Sequence, residues 1–208
     1  MATEQKRDYL TAALLVSVLY VAAQMMSDIA SLRIVMIAGY SIDAGTFIYP
    51  LTFTLRDMVH KVAGIKAARM LILAAAGINL FMALIFRVVA LMPPDLSIGP
   101  QEEFGQVLSP IWRIVAASII AEVISELIDT EGYRFWVEKV TQKYHWARVL
   151  FSNLISIPVD SFLFSFLAFW GIFPAAVVIS IFVSNMIIKG ITTLVSIPGI
   201  YLVPEKNN

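Results

Sequence analysis

Six stretches of this chain are mostly apolar and about 20 residues long, the length at which a helix crosses the hydrocarbon core of a bilayer. They run over residues 9–26, 46–63, 67–91, 111–128, 147–170 and 174–197. Composition agrees: 59% of the 208 residues are hydrophobic and 14% charged, whereas soluble domains are about half apolar and about a quarter charged. Fifteen basic residues balance fifteen acidic ones, which excludes a nucleic-acid binder driven by net basicity. The same apolar excess excludes a disordered chain and an ordinary cytosolic enzyme. There is no cysteine, so disulfides, thiolate zinc sites and a thiol nucleophile are excluded. The expectation is an all-α membrane protein of six transmembrane helices in one domain covering residues 1–208.

Lys6 and Arg7 before the first stretch resemble a signal-peptide start, but the apolar run is long and no small-x-small cleavage site follows. An uncleaved span is expected. The second stretch is diluted by Arg56, Asp57 and threonines. Residues 29–38, a short apolar run holding Arg33, read as a re-entrant or interfacial piece between spans one and two.

Basic residues set the orientation. Lys6, Arg7, Lys61, Lys66, Arg69, Arg134, Lys139, Lys143, Arg148 and Lys206 fall on one side of the six spans. The long loop on the other side, residues 92–110, carries Asp95, Glu102 and Glu103 and no basic residue. Positive loops stay cytoplasmic, so both termini are expected inside, in the cell inner membrane.

Residues three, four and seven apart share a helix face. Span four thereby carries Ser118, Glu122, Ser125, Glu126 and Asp129 on one stripe, and span five Asn153, Ser156, Asp160 and Phe164. Span six has Asn185, Lys189, Thr192 and Ser196; span one has Ser17, Tyr20, Gln24 and Asp28; span two has Thr46, Tyr49, Phe53, Asp57 and His60. An acid or lysine at mid-helix costs roughly 2.5–3.5 kcal/mol on insertion scales. Glu122, Asp160 and Lys189 together approach ~10 kcal/mol unless paired or hydrated. Their stripes must therefore face one another or a wet cavity. A purely structural reading remains for Ser17, Ser156, Thr192 and Asn79, which can tie helices together. Arg56, Asp57 and His60 can snorkel, and Asp129 lies near the interface. Pro50 and Pro158 interrupt spans two and five, and substrate sites of transporters often occupy interrupted helices.

Span one contains Ala23-Gln24-Met25-Met26-Ser27-Asp28-Ile29 and span four Ala121-Glu122-Val123-Ile124-Ser125-Glu126-Leu127. With a proline in the next span of each half, this suggests two inverted three-helix repeats. A cavity lined by Asp57, Glu122, Glu126, Asp160, Asn153 and Asn185 would offer acceptors and amides, with aromatic faces from Tyr20, Tyr49 and the span-five phenylalanines. That chemistry suits a planar, N–H-rich heterocycle.

Pro50-Leu51-Thr52-Phe53 is followed by Arg56-Asp57, Gly64, Arg113 to Ser118, and Ile128-Asp129. Ser152-Asn153, Asp160-Ser161 leading to Ala168-Phe169, and Lys189 come next. In this order and spacing, over roughly residues 10–200, the chain resembles the queuosine-precursor transporter family, also called the vitamin uptake transporter family. The resemblance implies inner-membrane uptake of 7-deazaguanines such as preQ0 and preQ1 for the queuosine modification of tRNA. It also implies substrate or coupling roles for Asp57, Asp129, Asp160 and Lys189, supported by Arg113 and Asn153. Glu126 stands where relatives often carry Gln, and Glu122 where they are often uncharged.

The expected substrate-binding set is Asp160, Lys189, Glu126, Asn153, Asn185, Glu122, Asp57, Asp129 and Arg113, with no cofactor and no metal. Glu126 and Asp160 would hold the N–H edge of the base while aromatic residues stack on it. Lys189 would pair with Asp160 in the empty state, and Asp57 or Glu122 would couple protons. The expected partners are a small purine-like base and the lipid bilayer, with no nucleic acid; a homo-oligomer is left open. Two alternatives stand beside this reading. One is the substrate-capture subunit of an energy-coupling vitamin transporter. The other is an intramembrane enzyme using Glu122 and Glu126, against which the sequence lacks H-E-x-x-H and any Gly-rich phosphate loop.

Overall fold

The computed structural model describes residues 2–140 and 145–196. Helix α1 (Ala2–Ala30) leads into a hairpin of β1 (Ile34–Ile37) and β2 (Tyr40–Asp43), then a 3-10 turn (Ala44–Phe47) and α2 (Tyr49–Ala63). After Gly64 come α3 (Ile65–Ala90), a second 3-10 turn (Leu96–Ile98) and the short α4 (Glu102–Leu108). The chain closes with α5 (Ile111–Lys139), α6 (His145–Phe169) and α7 (Ala175–Ser196).

Among the described residues, five segments have the length and apolarity to cross a membrane: Tyr9–Ala30, Lys66–Ala90, Glu102–Asp129, Leu150–Phe169 and Ala175–Val195. The protein is thus a helical, multi-pass membrane protein. The expected span 46–63 takes a different form. Its helix has 15 residues, about 22 Å at 1.5 Å per residue, short of the ~30 Å hydrocarbon core. Pro50 explains the late start. Its ring fixes φ and it lacks an N–H, so it fits the first turn of a helix but not a helix interior.

The hairpin adds a non-helical element where residues 29–38 read as re-entrant. Ile34, Val35 and Ile37 are β-branched and favour extended backbone. The strands pair antiparallel from Ile34↔Asp43 to Ile37↔Tyr40. Ala38 (φ 52°) and Gly39 (φ 82°) join them, the two positive φ values that a tight type I′ connection requires. Backbone placed among apolar helices must satisfy its polar groups within the protein. The Ser41 N–H donates to Ser180 Oγ at 2.8 Å, and Ser184 Oγ donates to the Ser41 carbonyl at 3.3 Å. Both serines lie on α7. Asn185, the next residue, is the eleventh of that helix's 22, so the hairpin reaches the middle of the bundle.

Apolar packing falls into two groups. Val16, Tyr20 and Ala23 of α1 pack with Leu55 and Val59 of α2 and Ala68, Ile72 and Ala75 of α3. Ile114, Ala117 and Ala121 of α5 pack with Phe164, Ala168 and Phe169 of α6 and Val178 and Ile181 of α7. Met82 and Ala83 of α3 meet Ile111 and Val115 of α5, joining the groups at one edge. Gly132 of α5 packs against Ser152 of α6. Leu14, Leu73, Phe81, Leu154 and Leu194 are more than half exposed, as side chains facing lipid would be.

Candidate functional site

Between the two groups lies a cavity walled by both. The α1 side contributes Ser27, Asp28 and Ser31 of α1 and Tyr49 of α2, and the re-entrant segment between those helices contributes Asp43, Gly45 and Thr46. The second group contributes Ser118 and Ala121 of α5, Asp160 and Phe164 of α6, and Asn185 and Lys189 of α7. The enclosed space has room for about one water molecule, so a ring-sized ligand enters only if lining side chains or helices move.

The centre is an ion pair. Lys189 Nζ bonds Asp160 Oδ2, with both side chains only 2% exposed. The other carboxylate oxygen, Oδ1, accepts from Ser125 Oγ at 3.3 Å. The ammonium also lies 4.7 Å from the centre of the Tyr49 ring and 5.9 Å from that of Phe164, distances at which an aromatic face attracts a cation. Two ionised groups sit where each alone would be costly, and the pair offsets that cost. An opposite charge, hydrogen bonds and ring faces together stabilise it.

The re-entrant segment is built to reach this pair. Asp43 caps the 3-10 turn, accepting from the Thr46 N–H at 3.1 Å, Thr46 Oγ1 at 2.5 Å and Ser31 Oγ at 2.8 Å. Thr46 Oγ1 also meets the Asn185 side-chain amide. Gly45 passes so close to α1 that a Cβ there would overlap Ser31 Oγ and the Ser27 carbonyl oxygen. Its own carbonyl accepts from Ser27 Oγ at 2.9 Å. Only glycine fits this contact.

A second polar cluster lies beside the cavity. Glu122 is 6% exposed and accepts from Tyr20 Oη at 2.6 Å and from Gln24 Nε2 at 2.9 Å on each oxygen. Asn79 Nδ2 reaches Gln24 Oε1 at 3.5 Å. The cluster ties α1, α3 and α5 together.

Of the residues expected from sequence, Asp160, Lys189 and Asn185 line the cavity. Four others are not brought to it. Glu122 belongs to the neighbouring cluster, and Asp129 accepts from Ser156 Oγ at 3.4 Å, outside the lining. Asn153, on α6, is also outside it. Arg113 is turned to a structural task, its Nε donating to the Leu167 carbonyl at 2.8 Å and its Nη2 to the Trp170 carbonyl at 2.5 Å. These are orphan acceptors at the C-terminus of α6, where a cation complements the helix dipole. The side chains of Asp57, His60 and Glu126 lie outside the described residues. Asp28, Asp43, Ser27, Ser31 and Gly45 are lining residues absent from the expected set. The stripe Tyr20, Gln24, Asp28 on α1 was the available signal for the first. Asp43 and Gly45 belong to no periodic pattern.

A family model described as "Putative vitamin uptake transporter" matches residues 43–203. The chain is similar to a "Probable queuosine precursor transporter" of Bacillus subtilis (strain 168), 25% identical over 181 residues, which is 86% of this chain and 79% of that protein. No solved structure matches.

Proposed function

We propose a function from one premise: the chain belongs to the family of vitamin and queuosine-precursor uptake transporters. Its cargo in this reading is a 7-deazaguanine such as preQ0 or preQ1, carried across the inner membrane to supply queuosine modification of tRNA. The supporting observation is the buried Asp160–Lys189 pair, framed by Tyr49 and Phe164 rings, in a small cavity between two groups of three helices. A flat base with N–H donors replaces the ammonium at the Asp160 carboxylate and stacks on the same rings. Lys189 is then released, so the empty and loaded states each keep Asp160 partnered.

The hairpin and α2 together serve as a sixth, broken crossing, which leaves both termini on the cytoplasmic side and the basic loops with them. Broken spans with irregular backbone at mid-depth are how many transporters present a polar site to cargo. The two packing groups then act as the two three-span halves of an alternating-access carrier. The chain works as a transporter and not as an enzyme, with no cofactor.

Purified protein in liposomes, given labelled preQ1 or preQ0, tests this. Time-dependent accumulation without any ATPase partner is expected. Accumulation only with an added energy-coupling ATPase assigns it to the substrate-capture class, and a chemically altered ligand assigns it to an enzyme. Uptake at the wild-type rate by both Asp160→Ala and Lys189→Ala removes the site assignment.

A further inference from the structure

Two polar atoms of the cavity wall have no partner among the described residues. Asp28 is 3% exposed; Ser118 lines the same cavity, and Asp28 Oδ2 is unbonded. Asn185 is fully buried, and the amide atom placed as Nδ2 is likewise unbonded. A buried polar atom without a partner is destabilising. Two of them lining one cavity, from opposite packing groups, point to a ligand that completes both.

The proton inventory decides what that ligand must carry. Thr46 Oγ1 lies between Asp43 Oδ2 and the atom placed as Asn185 Oδ1. A hydroxyl has one proton, and a carboxylate only accepts. With the amide oxygen towards Thr46, two acceptors would compete for that single proton. Turning the Asn185 amide over gives each contact its own hydrogen. Nδ2 then donates to Thr46, Thr46 donates to Asp43, and the amide oxygen faces the cavity. Amide nitrogen and oxygen are assigned by such networks.

We infer that Asp28 Oδ2 and Asn185 Oδ1 are a pair of acceptors that reads two N–H donors of a 2-aminopyrimidinone, the exocyclic amine at Asp28 and the ring N–H at Asn185, the pyrrole N–H of the base being left for Asp160. Neither residue acts alone. A base lacking the exocyclic amine leaves one of the two acceptors buried and unpaired, and the site rejects it. This rests on the proposed transport of a 7-deazaguanine and adds the feature by which the base is chosen.

The test is uptake into liposomes of two labelled probes, 7-deazaguanine and 7-deazahypoxanthine, which differ by the exocyclic amine. Wild-type protein is expected to favour the first by roughly tenfold to hundredfold, the range for a hydrogen bond to a charged group. Asp28→Asn should collapse that ratio towards one. Ser118→Ala, which removes a hydroxyl from the same cavity wall as Asp28 and leaves the packing nearly intact, should lower it part of the way. Equal wild-type uptake of the two probes overturns the inference. So does an Asp28→Asn protein that loses uptake of both by one common factor, since that marks a structural role. If Asp28→Asn fails to fold, an unchanged ratio in Ser118→Ala overturns it instead. Wild-type protein that moves neither probe, nor preQ0 or preQ1, removes the transport reading itself, and the inference with it.

Discussion

Glu122 and Asp160 are both acids buried within long helices, and their surroundings differ in kind. Every oxygen of Glu122 is met by a neutral donor from α1, through Tyr20 and Gln24. Nothing in that cluster waits for a ligand at the acid itself. Asp160 is held by a lysine that is itself buried, and the wall around the pair contains the unbonded Asp28 Oδ2. A fully bonded acid ties helices together, whereas an acid paired with a long, flexible amine has a partner that can swing away, which is what the proposed exchange with cargo uses. The lesson is that the cost of burying charge does not by itself mark a site; how the charge is satisfied does.

Four variants bear on this contrast. Lys189→Ala should have the largest effect. It leaves Asp160 buried and unpaired, a loss of about 3–5 kcal/mol, read as a lower melting temperature in detergent, and uptake should fall to background. The double variant Asp160→Asn/Lys189→Met removes both charges; it should regain much of the thermal stability and none of the uptake. Recovery of uptake there would break the contrast.

Gly45→Ala should come next. The new methyl overlaps Ser31 and the Ser27 carbonyl, and overpacking of this kind costs about 1–3 kcal/mol. The re-entrant turn must shift away from α1, carrying Thr46 off Asn185, so uptake should drop more than the melting temperature would suggest. A variant with wild-type KM and rate would show that this approach does not set the cavity.

Glu122→Gln should matter least. It keeps one acceptor for Tyr20 or Gln24 and trades a charged hydrogen bond for a neutral one, a difference of about 1 kcal/mol. Uptake should stay near the wild-type rate while the melting temperature falls slightly. Abolished uptake in a folded protein would merge the two clusters into one working unit and give Glu122 the coupling role considered for it from sequence.

Much of the bundle was legible because insertion into lipid imposes a crude rule. Long apolar runs become helices, and mid-helix Asp160 and Lys189 must find each other or water. Asn185, one turn before Lys189 on the same face, followed from periodicity alone. The hairpin was legible only as an oddity at residues 29–38, since Ala38-Gly39 is not the Asn-Gly that advertises a type I′ turn. Its docking onto Ser180 and Ser184 is a long-range contact that no local pattern encodes. Asp43 and Gly45 were hidden for the same reason. Arg113 entered the expected set through the family resemblance, and its bonds to the carbonyls of Leu167 and Trp170 are long-range contacts that the residues around it do not encode. Asn153 shares a stripe with Asp160, yet that stripe runs past the cavity to the contact of Ser156 with Asp129.

The Arg113 clasp has a mechanical consequence. One guanidinium grips two carbonyls at the C-terminal end of α6, while near the opposite end of the same helix pair Gly132 rests against Ser152. Clasped by Arg113 at one end and closely packed at the other, α5 and α6 form a single strut. In the transport reading proposed above, α5 and α6 would move as one body, and the parting that admits cargo would fall between them and α1 with α2, the hairpin staying with α7 through Ser180 and Ser184.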